Sequence, residues 1–134
     1  MPTDPVAVAG SRALLWSGRL LSLVAAALLL LDGVMKLFKP EFVVKATTDL
    51  GYPEYAIVPL GLTVIVCTLL YLIPRTAVLG AMLLNGYLGG AVASHVRHED
   101  GAFGIVAPIV FAALIWGGLC LRDGRLRALV FRRT

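Results

Sequence analysis

The hydrophobic positions of this chain fall into four long runs that are separated by short polar stretches. Each run has about the 20 residues that an α-helix needs to cross the hydrocarbon core of a bilayer. A segment in lipid must satisfy its own backbone hydrogen bonds, so the runs predict membrane-spanning helices. We expect an all-α fold, an integral membrane four-helix bundle in one domain (residues 1–134), with spans at Leu14–Leu37, Tyr55–Ile73, Thr76–Val96 and Phe103–Leu121.

The links between the apolar segments are short except for one. Pro74 and Arg75 leave almost no loop between the second and third segments, which predicts a tight antiparallel hairpin. The longer link, Phe38–Glu54, has apolar residues at helical spacing over Glu41–Leu50. We expect a short helix there that lies in the membrane interface and ends at Gly51.

Composition and charge agree with a membrane protein. Of the residues, 59% are hydrophobic and 15% are charged, whereas soluble domains have about 45–50% and about 25%. Eight Lys and Arg residues lie on the side of the two termini and the Pro74 turn, five of them in the basic tail 122–134, and four lie on the other side. The positive side is the cytoplasmic one, so we expect a bacterial inner-membrane protein with both termini in the cytoplasm.

The same charge pattern bears on partners. A basic tail beside membrane spans is suited to the anionic lipids of the cytoplasmic leaflet. The sequence contains no recognisable module that reads nucleic acid, so we expect the lipid bilayer and no nucleic acid as a partner.

Charged side chains within the spans carry a functional signal, because burying one in hydrocarbon costs about 2.5–3.5 kcal/mol or more. Asp32 and Lys36 lie four residues apart near the outer end of the first segment, so they share one helix face. Two interpretations stay open. They form a self-neutralising pair that lets the helix reach the interface, or they face a cavity in which Asp32 handles hydrogen bonds or protons.

Two further candidates lie in the third segment. Asn85 is near the membrane midplane, where an amide needs a partner on another helix or on a ligand. His95 closes the segment on the outer side, as an interface residue or as a ligand contact. With His98, Glu99 and Asp100 it forms a pattern that matches no zinc or metalloprotease motif, so we expect no metal and no haem.

Small residues repeat every four positions along the third segment, at Gly86, Gly90 and Ser94. This spacing lets helices approach closely, which predicts a packing face within the bundle or in a homodimer. Cys67 and Cys120 form no Cys-x-x-Cys motif, and the chain has no nucleophile elbow or phosphate loop. These absences favour a protein with no catalytic activity of its own.

The polar candidates are distributed unevenly across the predicted membrane. Asp32, Lys36 and His95 lie in the outer half with Asn85 deeper, whereas the inner half is almost purely apolar. This asymmetry predicts a pocket that opens towards the outer leaflet. It does not predict a channel, which needs polar residues along its whole length.

The ordered segments LLLLDGVMKLF, GYPEYAIVPLGLTVIVCTLLYLIPR and LGAMLLNGYLGGAVASHVR resemble the DoxX-like family of small four-helix membrane proteins. The resemblance covers roughly residues 18–121. Members usually have a Gly and a Lys at the end of the first helix, which Gly33 and Lys36 match. They also have a small-residue stretch before a His at the end of the third helix, which Gly89, Gly90 and His95 match.

The resemblance implies several functions. The namesake is linked with a thiosulfate:quinone oxidoreductase system, other relatives belong to redox-stress complexes, and distant eukaryotic ones help to assemble receptors. Our leading hypothesis is a protein that binds a small apolar ligand, a quinone or a lipid, through Asp32, Lys36, Asn85 and His95, as an accessory subunit of a membrane redox system. A structural or assembly subunit, docked to a membrane partner or to a second copy through the third helix, is the alternative. A small transporter is a third hypothesis.

Overall fold

A computed structural model describes residues 5–99 and 101–131 of the chain. Within these residues no strand is present, and six α-helices follow one another along the chain. The helices are α1 (Pro5–Phe38), α2 (Glu41–Asp49), α3 (Ile57–Leu72), α4 (Ala77–His98), α5 (Ala102–Arg122) and α6 (Gly124–Phe131). Single 3₁₀ turns, Glu54–Ala56 and Pro74–Thr76, lead into α3 and α4.

Four helical segments of the described chain are long and apolar enough to cross a membrane: Arg12–Phe38, Glu54–Leu72, Pro74–His98 and Ala102–Arg122. The prediction of an all-α chain with four membrane-spanning helices is therefore confirmed, and the protein is a multi-pass membrane protein. The short helix expected in the longer link is present as α2. Its position in the membrane interface and the cytoplasmic side of the termini stay predictions.

Helical structure extends beyond the predicted spans at two places. The helix α1 begins at Pro5, ahead of the first apolar segment. Part of the basic tail forms the helix α6. Asp123 precedes this helix, and its Oδ1 accepts hydrogen bonds from the amides of Arg125 and Leu126 at 2.9 and 3.3 Å. A carboxylate in this position satisfies the first free amides of a helix. Residues 132–134, with Arg132 and Arg133, lie outside the described residues.

The four spanning helices form a ring. Helix α1 packs against α3 and α5, and α4 packs against the same two helices, so α1 and α4 lie on opposite sides of the bundle. The end of the bundle that carries α2, where α1 and α4 end, is called the α2 end. The opposite end, where α5 runs into α6, is called the α6 end.

At the α6 end, a glycine contact holds α1 against α5. A Cβ on Gly18 would lie 2.7 Å from the Gly118 carbonyl oxygen, a distance that real Cβ atoms do not adopt. Gly80 likewise lies against the Tyr71 backbone, which joins α4 to α3. The space between these helix pairs is filled, because Tyr71, Ile115 and Leu119 are at most 2% exposed.

At the α2 end, the close contacts join different pairs of helices. A Cβ on Gly61 would lie 2.8 Å from the Gly33 carbonyl oxygen, so α3 and α1 touch there. A Cβ on Gly104 would lie 2.5 Å from Nδ1 of His95, so the His95 ring occupies the space that a side chain on α5 would need. The bundle therefore consists at this end of an α1–α3 pair and an α4–α5 pair, with room between them.

Candidate functional site

A cavity of about 850 Å³ occupies the space between the two helix pairs at the α2 end. Cavities of about 300–1,000 Å³, mostly apolar with a few polar groups, are typical ligand sites. The apolar part of the wall comes from Leu28, Leu29, Leu60, Leu88, Ala91, Phe103, Ala107, Pro108 and Phe111. Phe103 is 86% exposed, so the cavity is open to the surroundings at its rim.

The helix α2 and the residues after it cover this cavity, since Ala46, Thr47 and Tyr52 are among its lining residues. Two hydrogen bonds attach this cover to α4. The Tyr52 hydroxyl lies 2.5 Å from Oγ of Ser94, which in turn donates to the Gly90 carbonyl at 2.9 Å, so the Tyr52 hydroxyl is the donor. Arg97 Nη2 donates to the Leu50 carbonyl at 3.2 Å.

Asp32 and Lys36 both line the cavity and form an ion pair in it. The Lys36 Nζ lies 2.5 Å from Asp32 Oδ2, and the Lys36 side chain is 13% exposed while that of Asp32 is 48% exposed. Their spacing of four residues brings them together on one face of α1. The geometry shows the ion pair, and the Asp32 carboxylate remains accessible in the cavity. A role of Asp32 in handling hydrogen bonds or protons of a ligand stays a prediction.

His95 lines the cavity from the opposite wall and is half-buried. Its ring packs on the backbone of α5, where Gly104 provides the space. Four residues later Pro108, also in the wall, lacks an amide hydrogen. The Gly104 carbonyl therefore lacks the usual amide donor four residues further along the helix.

The structure does not bring Asn85 to the cavity. Its side chain is exposed on the outer surface of α4 and makes no hydrogen bond within the described residues. Tyr87, two positions further along α4, lines the cavity instead. The Tyr87 hydroxyl also has no hydrogen-bond partner in the part of the chain that the structure describes. A ligand contact by Asn85 stays an untested prediction, whereas Tyr87 is a candidate that the sequence did not single out.

The small residues Gly86, Gly90 and Ser94 line the cavity, and the two glycines pack against no neighbouring helix among the described residues. A Cβ on Gly86 or Gly90 would meet no atom within 4 Å. Their absence of side chains therefore contributes to the width of the cavity. Packing of α4 against a second copy stays a prediction.

The last residue of α4 and the loop after it contribute little to the cavity. His98 lines it but is exposed, and Asp100 lies outside the described residues. Among the residues described, no group of three or more His, Cys, Asp or Glu side chains is close enough to hold a metal ion.

A buried polar cluster at the α6 end was missed by the sequence reasoning, which expected an almost purely apolar inner half. The Tyr71 hydroxyl donates to the Ile115 carbonyl at 2.7 Å, so it accepts the bond from Ser22 Oγ at 2.8 Å. Arg122 lies over the same ring, with its Cζ 5.1 Å from the centroid. The signal available in the sequence was only a Tyr and a Ser in apolar runs, and their separation of 49 residues hides the contact.

Comparison of the sequence with known proteins assigns the chain to a family. No curated protein and no solved structure gives a significant match to the chain. The sequence profile of the DoxX-like family matches residues 20–118. This range includes the second and third spanning segments, most of the first and the fourth, and all the residues that line the cavity. The chain therefore belongs to the DoxX-like family.

Proposed function

We propose that this protein binds a small, mostly apolar ligand with an oxygen-bearing head, a quinone or a lipid, in the cavity at the α2 end. The cavity itself is the observation that carries the proposal: about 850 Å³, with a leucine, alanine and phenylalanine wall and polar groups from α1 and α4. Such a wall accommodates an apolar body by packing against it, while a few polar groups fix its orientation.

The polar groups in the wall suit a ligand oxygen. The Tyr87 hydroxyl lacks a partner within the described residues, so it is available to donate to a carbonyl or to a phosphate ester. Lys36 provides a positive charge on the facing helix, already neutralised by Asp32. A neutral head group with hydrogen-bond acceptors fits this arrangement better than a free anion, because the net charge of the pair is zero.

The proposed setting is the inner membrane of a bacterium, with both termini and the α6 end in the cytoplasm. The division of eight basic residues against four supports this orientation. The cavity then opens in the outer half of the membrane, with α2 lying in the interface above it. The protein acts as an accessory, ligand-holding subunit of a membrane redox system, and a partner supplies the electrons.

The test is to identify what co-purifies with the protein in a mild detergent. Wild type is compared with Tyr87→Phe, which removes one hydroxyl, with His95→Ala, and with Asn85→Leu as a matched control on the outer surface of α4. Mass spectrometry of the extracted ligand and the change in ultraviolet absorbance on chemical reduction distinguish a quinone from a lipid. Size-exclusion profiles show that each variant is folded.

We expect wild type and Asn85→Leu to retain one defined ligand and Tyr87→Phe to retain about tenfold less, because a lost hydrogen bond to a buried polar group costs about 1–3 kcal/mol. If the extracted ligand has the mass of a quinone and its absorbance changes on reduction, the result supports the redox role. If it is a glycerolipid whose absorbance does not change, the result supports lipid binding. If wild type holds no defined ligand, or if all four proteins hold the same amount, the proposal is wrong.

A second candidate, the assembly subunit, is favoured by the outer surface of α4. Asn85, Gly89 and Ala93 are exposed on one stripe of this helix, and the Asn85 amide has no partner within the described residues. An amide in hydrocarbon gains from a hydrogen bond to another helix, and small residues allow that helix to approach. A homodimer through α4 would provide both.

Native mass spectrometry of the full chain measures this directly. If α4 is the interface, wild type contains two copies, and Asn85→Leu and Gly89→Leu contain one. The ligand of the cavity is retained in both variants, which separates assembly from ligand binding. A single copy in wild type, or two copies in all three proteins, contradicts an interface on this face.

A further inference from the structure

A second, smaller cavity lies at the α6 end, on the outside of the bundle and apart from the ligand cavity. It measures about 280 Å³ and is lined by Trp16, Arg19, Leu20, Ser22, Leu23, Leu72 and Arg122. Two arginine residues therefore line one groove whose wall is largely apolar. The volume lies at the lower limit of small-molecule sites, so it suits a head group better than a whole ligand.

Arg122 is the more confined of the two arginines. Its Cζ lies 5.1 Å from the centroid of the Tyr71 ring, and its Nη2 donates to the Tyr71 carbonyl at 3.4 Å. Its Nε is buried and has no hydrogen-bond partner among the described residues. A guanidinium has five donor hydrogens, and the one hydrogen bond that Arg122 donates to a backbone carbonyl of the described residues leaves further donors for a ligand.

Arg19 completes the groove from α1. Its Cζ lies 5.4 Å from the centroid of the Trp16 ring, and Trp16 is 65% exposed. Neither arginine pairs with a carboxylate in the part of the chain that the structure describes. The nearest acid in sequence, Asp123, is engaged with the first amides of α6. The groove thus has two positive charges and no negative side chain in its wall.

The surroundings identify the ligand as one that reaches the groove from the membrane. Trp16 and Arg122 lie near the ends of their spanning segments, where tryptophan and arginine side chains meet lipid head groups. Leu20 and Leu23 continue the groove towards the bilayer centre and are 65% and 59% exposed. Snorkelling of a single side chain explains Arg19 alone, but it does not explain a second arginine that is held at the Tyr71 ring beside it.

We propose that this groove binds the phosphate group of an anionic phospholipid, with Arg19 and Arg122 on the phosphate and Leu20 and Leu23 along an acyl chain. Guanidinium groups match the geometry of phosphate oxygens and form charge-assisted hydrogen bonds with them. The site is independent of the ligand proposed for the cavity at the α2 end. An experiment that disproves one of the two sites therefore does not bear on the other.

The experiment titrates the delipidated full-length protein in detergent with phosphatidylglycerol, with phosphatidylcholine and with inorganic phosphate. Native mass spectrometry counts the bound lipid. The variants are Arg19→Gln, Arg122→Gln and the double variant. Arg75→Gln is the matched control, because it removes an exposed arginine from the Pro74–Thr76 turn at the same end without touching the groove.

We expect one phosphatidylglycerol to bind wild type in preference to phosphatidylcholine. Each groove substitution should weaken this binding about fivefold and the double variant about 25-fold, as expected for basic residues near anionic lipid. Arg75→Gln should change it less than about twofold, because an exposed charge in the turn is screened. Arg122→Lys, which keeps the charge, should recover part of the affinity lost in Arg122→Gln.

Three results would overturn the proposal. Equal retention of the two lipids shows no anionic site, and equal losses in Arg75→Gln and Arg19→Gln show a general effect of surface charge. Displacement of the lipid by excess inorganic phosphate shows a site for a free anion. If Arg122→Gln does not fold, the exposed Arg19→Gln decides the question by the same comparison with Arg75→Gln.

Discussion

The two ends of the bundle each contain a tyrosine hydroxyl bonded to a serine, but the two pairs have different surroundings. At the α6 end, Tyr71 is fully buried and bonds both Ser22 on α1 and the Ile115 carbonyl on α5. At the α2 end, Tyr52 belongs to the cover and bonds Ser94 beside an open cavity. The first pair joins spanning helices to each other, whereas the second attaches a cover to one of them.

The difference follows from which helices touch at each level. Close packing of α1 on α5 at Gly18 and Gly118 leaves no space for a ligand in the interior of the bundle at the α6 end. At the α2 end, α1 touches α3 at Gly33 and Gly61, and the α4–α5 pair stands apart. A bundle of four helices can thus be tightly packed at one end and hollow at the other without a break in any helix.

The largest expected effect is on the hollow end. Gly90→Leu places a leucine side chain in the cavity, since a Cβ there meets no atom within 4 Å. We expect complete loss of the co-purifying ligand with no loss of thermal stability, measured by mass spectrometry and by unfolding in detergent.

Gly89→Leu is the matched control for Gly90→Leu, because the adjacent position is exposed outside the cavity. It should retain the ligand. Equal ligand retention in the two variants would contradict a ligand site in the cavity.

The next effect tests the packed end. Gly118→Ala should lower the free energy of unfolding by about 1–3 kcal/mol, as overpacking of a tight contact does. The new Cβ would lie 2.5 Å from Ser22 Oγ and 3.0 Å from the Gly18 carbonyl oxygen. Its neighbour Gly117 has no atom within 4 Å of such a Cβ, so Gly117→Ala should leave the unfolding midpoint unchanged. Equal midpoints for both variants would mean that α1 and α5 are not in close contact.

A smaller effect separates the two tyrosine–serine pairs. Tyr71→Phe should destabilise the protein by about 0.6–1.7 kcal/mol, the range for hydrogen bonds between membrane helices. Tyr52→Phe should cost less, because the cover is not part of the bundle interior, but it should accelerate ligand release. Tyr55→Phe, with an 81% exposed ring, controls for the loss of a hydroxyl. Among the three variants, Tyr71→Phe should therefore have the largest effect in the unfolding assay, and Tyr52→Phe should have the largest effect in the ligand-release assay.

The smallest effect concerns the exposed ion pair beside the cover. Lys39 Nζ lies 3.6 Å from Glu54 Oε1, with the two side chains 35% and 65% exposed. Lys39→Met should change the free energy of unfolding by less than about 0.5 kcal/mol, as for most solvent-exposed pairs. Lys36→Met should cost more, since it leaves Asp32 without its partner in the cavity wall. The same denaturation assay compares the two variants. A larger loss of unfolding free energy in Lys39→Met than in Lys36→Met would contradict the prediction that the exposed pair contributes less.

The spanning helices could be predicted from the sequence because a run of about 20 apolar residues has few other stable conformations in lipid. The Asp32–Lys36 pair was equally predictable, since its spacing of four residues alone brings the two groups together.

The inward face of α4 could not be predicted, because apolar residues face both the lipid and the core, and Asn85 and Tyr87 are equally compatible with either. The cavity and the Ser22–Tyr71 contact depend on helix pairs that meet at distant glycines, and no local pattern records which helices meet.

The attachment of the cover has a consequence for the rate at which the site exchanges its contents. Two side-chain hydrogen bonds, at Tyr52 and Arg97, connect it to α4 in the described part of the chain, and Thr47 is the buried residue of α2. Segments with so few buried contacts open locally at a small fraction of the global unfolding free energy. The amides of α2 should therefore exchange with deuterium well before those of α3 or α5, and the turnover of bound molecules should follow that local opening while the rest of the bundle stays intact.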